Sequence, residues 1–293
     1  MPRLTATTGE NDGQGHSIMN EARHSEFSPV VLECRNVSKV WTNGSAEVEA
    51  LNNVSATVSR SQIYAFIGPS GCGKSTLLSL IAGLETPTSG EIVANGELVN
   101  SPDPSRCLIY QEPSLFPWLS VLGNVEFPLS LRRVSKEERR TRALALLAQV
   151  GLAEFAHAFP HQLSGGMQQR AAVARALIAD PELLLMDEPF GSLDEQTRYL
   201  MQQFLLEVWE MSKKTIILVT HHIDEAIYLA DRIFVMTARP GQLKQLIEVD
   251  ILRPRDLLSQ EVADLRTQLF RLLRDEAKMP APPAVTRQTG MTT

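Results

Sequence analysis

From residue 30 onward, short apolar runs alternate with longer amphipathic ones. Val30-Val31-Leu32 opens one strand, and Val54, Ala56 and Val58 alternate with polar neighbours like one face of a half-buried strand. The run 63–67 is apolar throughout and stops at Gly68, the pattern of a parallel strand covered on both faces. Leu183–Met186 and Thr215–Thr220 read the same way, and each is followed by a helical segment. Helical periodicity runs from Ser75 to about Ala82, and Ser135-Lys136-Glu137-Glu138 is a capping box opening a helix that carries Leu144, Leu147 and Val150. Beyond Pro254, the positions Leu258, Val262, Leu265, Leu269 and Leu272 step by four and three and predict a last amphipathic helix. Strands alternating with helices predict an α/β fold with a mainly parallel sheet. Residues 1–28 and 280–293 are poor in such patterns and are expected to be flexible tails.

Composition narrows the class. With 293 residues, 43% hydrophobic and 21% charged, the chain is neither disordered nor collagen-like. A net charge of −6 argues against a nucleic-acid binder that relies on bulk positive charge. Apolar runs such as 216–219 fall far short of the roughly 20 residues that cross a bilayer, so membrane contact is expected to come through a partner. Cys34, Cys72 and Cys107 form neither a zinc pattern nor an even disulfide framework, which favours a reduced, cytosolic compartment. The N-terminus lacks the basic start and apolar core of a signal peptide.

The chemistry begins where the run 63–67 ends. Gly68-Pro69-Ser70-Gly71-Cys72-Gly73-Lys74-Ser75-Thr76 fits GxxxxGK[ST], with a strand before it and a helix after it. Glycines let backbone N–H groups curl around phosphate oxygens, and the following helix aims its positive end at the same anion. Lys74 is a point charge for the β- and γ-phosphates, and Ser75 offers a hard oxygen to Mg²⁺. Cys72 reads as a small filler. The strand 183–186 ends in Asp187-Glu188-Pro189, which places carboxylates where ligands bind a parallel sheet. Asp187 can hold Mg²⁺ through water, and Glu188 can polarise an attacking water. A second anion-binding pattern, Leu163-Ser164-Gly165-Gly166-Met167-Gln168-Gln169-Arg170, opens another helix with Ser164 as its N-cap.

These three motifs resemble, in order and spacing, the ATP-binding subunit of an ABC transporter: Gly68 to Thr76 its Walker A, Leu163 to Gln169 its LSGGQ signature, Leu183 to Pro189 its Walker B. The likeness runs from near Val30 to Asp250. It implies a P-loop NTPase (RecA-like) core, with an antiparallel β subdomain and an inserted α-helical signature subdomain at about 112–168. The ATP-binding domain would span 29–252, followed by a C-terminal amphipathic helix at 253–279. Trp41 matches the aromatic that stacks on adenine, although a plug in the core is an equal reading of the residue itself. Gln111 matches the glutamine that touches Mg²⁺ and the attacking water, and His221 the switch histidine that hydrogen-bonds the γ-phosphate. Ser192-Leu193-Asp194 resembles the loop that communicates across a dimer. Two positions depart from the pattern: Met167 replaces the signature glutamine, and His222 stands where Asp commonly follows the switch histidine.

The resemblance further implies ATP and Mg²⁺ as ligands. It implies an ATP-dependent homodimer in which Ser164, Gly165, Gly166 and Asp194 of one copy complete the site of the other. The remaining expected partners are integral membrane permease subunits, docking at 114–122, and indirectly a solute-binding protein; nucleic acid is not expected. The expected location is peripheral, on the cytoplasmic face of the inner membrane. The stretches 111–119 and Ala238-Arg239-Pro240-Gly241 look most like the nitrate/sulfonate/taurine importer branch, which implies a small anionic cargo. A non-transport ABC ATPase would call for a coiled-coil insertion or two cassettes, and a regulatory module without turnover would not need Glu188 and His221.

Overall fold

In the computed structural model, which describes residues 29–44 and 46–277, two sheets share one core; the tails expected at 1–28 and 280–293 lie outside the described residues. The larger sheet contains β3 (Ile63–Ile67), β6 (Arg106–Ile109), β7 (Leu183–Asp187), β8 (Thr215–Thr220), β9 (Arg232–Met236) and β10 (Leu243–Glu248). Its order is β10-β9-β3-β8-β7-β6, parallel except for the antiparallel edge strand β10. The three runs predicted from sequence as covered strands are its centre. All five residues of β3 and all six of β8 are buried, as a strand with material on both faces must be.

Side chains alternate across this sheet. Tyr64, Phe66, Leu183, Leu185, Ile217 and Val219 point to one face. There they meet helix α1 (Lys74–Ala82) and the second sheet, an antiparallel layer of β1 (Val30–Asn43), β2 (Ala46–Ser59), β4 (Ser89–Ala94) and β5 (Glu97–Leu98) in the order β2-β1-β4-β5. In β2 the predicted alternation holds, with Val54, Ala56 and Val58 buried and Ser55 and Thr57 exposed. Ile63, Ala65, Ile67, Leu184 and Met186 point to the opposite face, into a cluster supplied by the remaining helices.

Between β6 and β7 the chain forms α2 (Val121–Leu131), α3 (Lys136–Gln149) and α4 (Gly165–Leu177), with α2 packed on both α3 and α4. Ser135 caps α3 by accepting from the Glu138 N–H at 3.2 Å. Of the apolar residues predicted on this helix, Leu147 and Val150 are buried and Leu144 is 37% exposed; Ala143 and Leu147 face the core, with Leu146 packed partly against it. After β7 come α5 (Glu195–Ser212), α6 (Ile223–Leu229) and α7 (Gln260–Ala277). The last helix starts later than its sequence pattern indicates. Leu258 lies before it and is 93% exposed, whereas Val262 and Leu269 are fully buried, on a helix that packs on α6 and β9.

Register sets up the site. Ile67 is level with Thr220, Val219 with Asp187, and Met186 with Ile109. The chain therefore leaves β3, β8, β7 and β6 side by side at one edge, carrying Gly68, His221, Glu188 and Gln111 out of the sheet together.

Candidate nucleotide site

The loop between β3 and α1 is shaped by glycines where the backbone needs them. Gly73 has φ +96°, and a Cβ there would meet the Ala50 carbonyl and the Leu51 side chain at 2.7 Å. Gly73 also caps α1 without any side-chain bond, so the first N–H groups of the helix are left to face the loop. Lys74 is buried and folded back inside this curl, where its Nζ donates to the carbonyls of Gly68 (2.9 Å) and Pro69 (3.1 Å). Cys72 is buried beside it. Burial pushes its thiol up, against the opposing pull of Lys74, and the side chain fills space under the loop.

The Ser75 hydroxyl donates to Asp187 Oδ1 at 3.0 Å, joining the start of α1 to the tip of β7. Burial raises the Asp187 carboxyl above the ordinary range, the Ser75 hydrogen bond opposes that shift, and the neighbouring Glu188 charge adds to it. Two hard oxygens, one on a carboxylate short of solvation, are a donor set that suits Mg²⁺. Glu188 itself adopts φ +43°, held by its N–H donating to the Val219 carbonyl at 3.0 Å. That turn swings its side chain away from Asp187 and onto His221, where Oε2 and Nδ1 are 3.0 Å apart. A Cβ on Gly191 would meet Gln111 Nε2 at 3.2 Å and Glu188 Oε2 at 3.6 Å, so the glutamine amide and this carboxylate converge on one small residue. Lys74, Ser75, Gln111, Asp187, Glu188 and His221 thus gather at one edge of the sheet.

Two predicted groups lie elsewhere. Trp41, on β1, is 39% exposed, with Lys39 Nζ 4.4 Å from its ring centre, so it is a surface platform and no core plug. Ser164 caps α4 by accepting from the Met167 N–H at 3.3 Å. The signature turn packs against the loop before α5 and the first turn of that helix: a Cβ on Gly165 would meet Leu193, and one on Gly166 would meet Thr197 at 2.9 Å. Asp194 is the N-cap of α5, accepting from the Thr197 N–H at 3.0 Å, and that bond holds its carboxyl below the ordinary range. The His222 ring lies tilted against that of His221 with ring centres 4.0 Å apart, and burial, then the His221 charge, lowers its pKa.

Sequence reasoning missed a brace under the phosphate loop. Arg239 Nε donates to the Gly71 carbonyl at 3.2 Å, and Gly241 lies so close that a Cβ would be 2.0 Å from the Cys72 carbonyl. The stretch Ala238–Gly241 stood out in the sequence, but nothing in its spacing tells which loop it touches. Glu225, buried on α6, was also missed, because its position in a helical run looks like an ordinary surface acid.

Residues 51–191 match the family described as ABC transporter. The chain is 44% identical to an uncharacterized ABC transporter ATP-binding protein of Methanocaldococcus jannaschii, over 88% of this chain and 96% of that one. It is 42% identical to the aliphatic sulfonates import ATP-binding protein of Bacillus thuringiensis (82% of this chain, 95% of that one) and 46% identical to the taurine import ATP-binding protein of Yersinia pestis (73% and 84%). Among solved structures it resembles the dimeric, post-hydrolysis form of an ATP-binding cassette bound to ADP and Pi, with 35% identity, a TM-score of 0.66, and coverage of 75% of this chain and all of that one.

Proposed function

This chain belongs to the ATP-binding proteins of ABC transporters, in the nitrate/sulfonate/taurine branch, and from that premise we propose that it hydrolyses ATP within a homodimer to drive import of a small anion through a separate permease. The observation that carries this reading is the pair of 3.0 Å contacts at adjacent strand ends, Ser75–Asp187 and Glu188–His221.

The triphosphate lies in the curl of Gly68, Pro69, Ser70, Gly71, Cys72 and Gly73, along the N–H groups that open α1, with Thr76 in that first turn. Lys74 is already inside this curl and exchanges its carbonyl partners for phosphate oxygens. Ser75 and Asp187 would hold Mg²⁺, with Gln111 beside them, and the ion would supply positive charge against the phosphates. Glu188 accepts the proton of the attacking water. Its contact with His221 Nδ1 sets the chemistry of the imidazole. With Nδ1 on Glu188, Nε2 is the ring nitrogen left to meet a phosphate oxygen. Trp41 offers its exposed face to adenine.

A single loop covers one side of the triphosphate and leaves the other in water, where electrostatic stabilisation is weak. The signature turn of Ser164, Gly165 and Gly166, together with Asp194, supplies that other side from a second copy. The dimeric form of the similar cassette supports this arrangement. No helix among the described residues is long and apolar enough to cross a membrane, and the chain acts as a peripheral subunit on the inner face. Its permease contact is the cleft of about 540 Å³ beside α2, lined by Phe116, Phe127, Leu131, Arg132 and Arg175, with Leu131 and Trp118 exposed. A helix of the permease fits it, and a solute-binding protein delivers the anion.

The test is Glu188→Gln. The variant is expected to bind MgATP, to lose at least about 100-fold in hydrolysis, and to sediment as a dimer only with nucleotide. Hydrolysis at the wild-type rate would remove Glu188 as the base. A monomer at micromolar concentration with MgATP, alone and with its permease, would remove the composite site.

A further inference from the structure

The notable feature left unused by this reading is the segment that follows β10. It does not trail from the core. Arg255 is only 6% exposed, and its guanidinium donates to carbonyls alone: Ile227 and Ala230 at 2.6 Å, Ile251 at 2.8 Å and Val249 at 3.3 Å. Ile227 lies in the last turn of α6, and Ala230 is its C-cap. Arg253 donates to the carbonyl of Leu229, in the same turn, and to Asp231 Oδ1 at 2.6 Å. Helix α6 has seven residues, too few to persist by itself, and its last carbonyls have no partners within the helix. Two guanidinium groups from the segment after β10 fill that need, with charge of the sign that a helix C-terminus favours.

The opposite end of α6 is held as well. Arg266, on α7, donates from Nε to Asp224 Oδ1 at 2.5 Å and from Nη2 to the Leu257 carbonyl at 3.1 Å. Asp224 lies in the first turn of α6. Between these grips, Val262 and Leu269 of α7 are fully buried, and Lys244 Nζ donates to the Leu272 carbonyl at 3.1 Å, tying α7 to the edge strand β10. Burying a guanidinium costs free energy unless its donors are satisfied, and a methionine or leucine would fill the same volume. The helix-end carbonyls account for an arginine here.

What α6 carries gives this a consequence. Its N-cap is His222, which has no side-chain capping bond; the His222 N–H instead donates to Thr220 Oγ1 at 3.0 Å. His221 sits directly before that cap, 3.0 Å from Glu188. A tilt of α6 therefore displaces the imidazole from the carboxylate, and displacements of about 1 Å at such a contact are costly in rate. We infer that the segment from Arg253 through α7 is a clamp on α6, and that Arg253, Arg255 and Arg266 are positioning residues that hold His221 in register with Glu188. The inference rests on the proposed role of His221.

The test is a cycle in the full-length chain, read as steady-state ATPase at varied MgATP. Arg266→Ala is expected to lower kcat by about two- to five-fold, the scale of a partly exposed ion pair, with KM for ATP unchanged and with most of the loss restored by Arg266→Lys. In a His221→Ala background, Arg266→Ala is expected to lower kcat no further, because the group it positions is gone. Arg255→Met should lower kcat more than Arg266→Ala does, with the same silence in the His221→Ala background. An equal fractional loss with and without His221, or wild-type kcat in both arginine variants, overturns the clamp while leaving the site reading intact. Wild-type kcat in His221→Ala alone overturns the role of His221, and the clamp with it.

Discussion

Glu225→Gln isolates the energetics of one buried carboxyl. Glu225 is 2% exposed in the first turn of α6, and its Oε1 has no hydrogen-bond partner among the described residues. Burial pushes its pKa up to about 8, against the pull of a Thr220 hydrogen bond and the Arg198 charge; Glu188 adds to the rise. The folded protein therefore keeps a proton that the unfolded chain, with its ordinary value of 4.5, has released. Stability from this group is complete below that unfolded value and is lost as pH rises to about 8, where the difference levels off. At roughly 1.4 kcal/mol per pH unit, the loss is about 3 kcal/mol at neutrality and approaches 5 kcal/mol above the upper limit.

Glutamine cannot ionise. The stability of the variant relative to wild type should climb across this window and flatten above about pH 8. An amide that buries unpaired donors adds a penalty of about 1–3 kcal/mol, but that offset does not vary with pH. The charged and polar groups that share the cleft of about 820 Å³ with Glu225, among them His222, Arg198, Asp224 and Arg266, are present in both proteins, so the difference reports the one carboxyl. Urea unfolding of both proteins at unit intervals from about pH 5 to 9 gives the curve. A difference that stays flat across that range would refute the reasoning, whatever its absolute size.

Three further outcomes follow from the phosphate loop. Lys74→Ala should lower kcat/KM for ATP by at least about 100-fold, with a melting temperature close to wild type, as measured by ATPase and calorimetry together. Arg239→Ala should raise KM for ATP by about three- to ten-fold with kcat unchanged, and the gap should narrow in high salt, because the exposed guanidinium contributes charge beside Gly71. Gly241→Ala drives a methyl into the Cys72 carbonyl and should cost about 1–3 kcal/mol in denaturant unfolding.

The parts of this protein that could be read from sequence are those whose cause is local. Apolar runs between 63 and 67 and between 215 and 220 became the central strands, because covered parallel strands need nothing but apolar residues of the right length. The phosphate loop was readable because its glycines, lysine and serine act within nine consecutive positions. Where a partner lies far along the chain, the pattern was silent. Nothing near Arg255 announces that its guanidinium ends α6, and Arg239 reaches Gly71 across 168 positions. The start of α7 is hidden from the sequence for the same reason: Leu258 keeps the helical step, but Arg266 closes on the Leu257 carbonyl and the chain turns there before the helix begins.

The two halves of the site are held by different means. Ser75 and Asp187 sit at the ends of elements fixed by the central sheet, with β3, β8 and β7 paired in continuous register and buried on both faces. Their geometry can change only if the core itself shifts, and close-packed cores resist that. His221 leaves the same sheet, but in the proposed clamp its direction is set by a seven-residue helix gripped from outside the nucleotide loop, through Arg253, Arg255 and Arg266. The phosphate loop is thus tied to the close-packed core, whereas on the proposed clamp the Glu188–His221 contact depends on peripheral residues. Loss of a peripheral grip should therefore show in kcat and leave KM for ATP unchanged, because the phosphate loop rests on the core and not on α6.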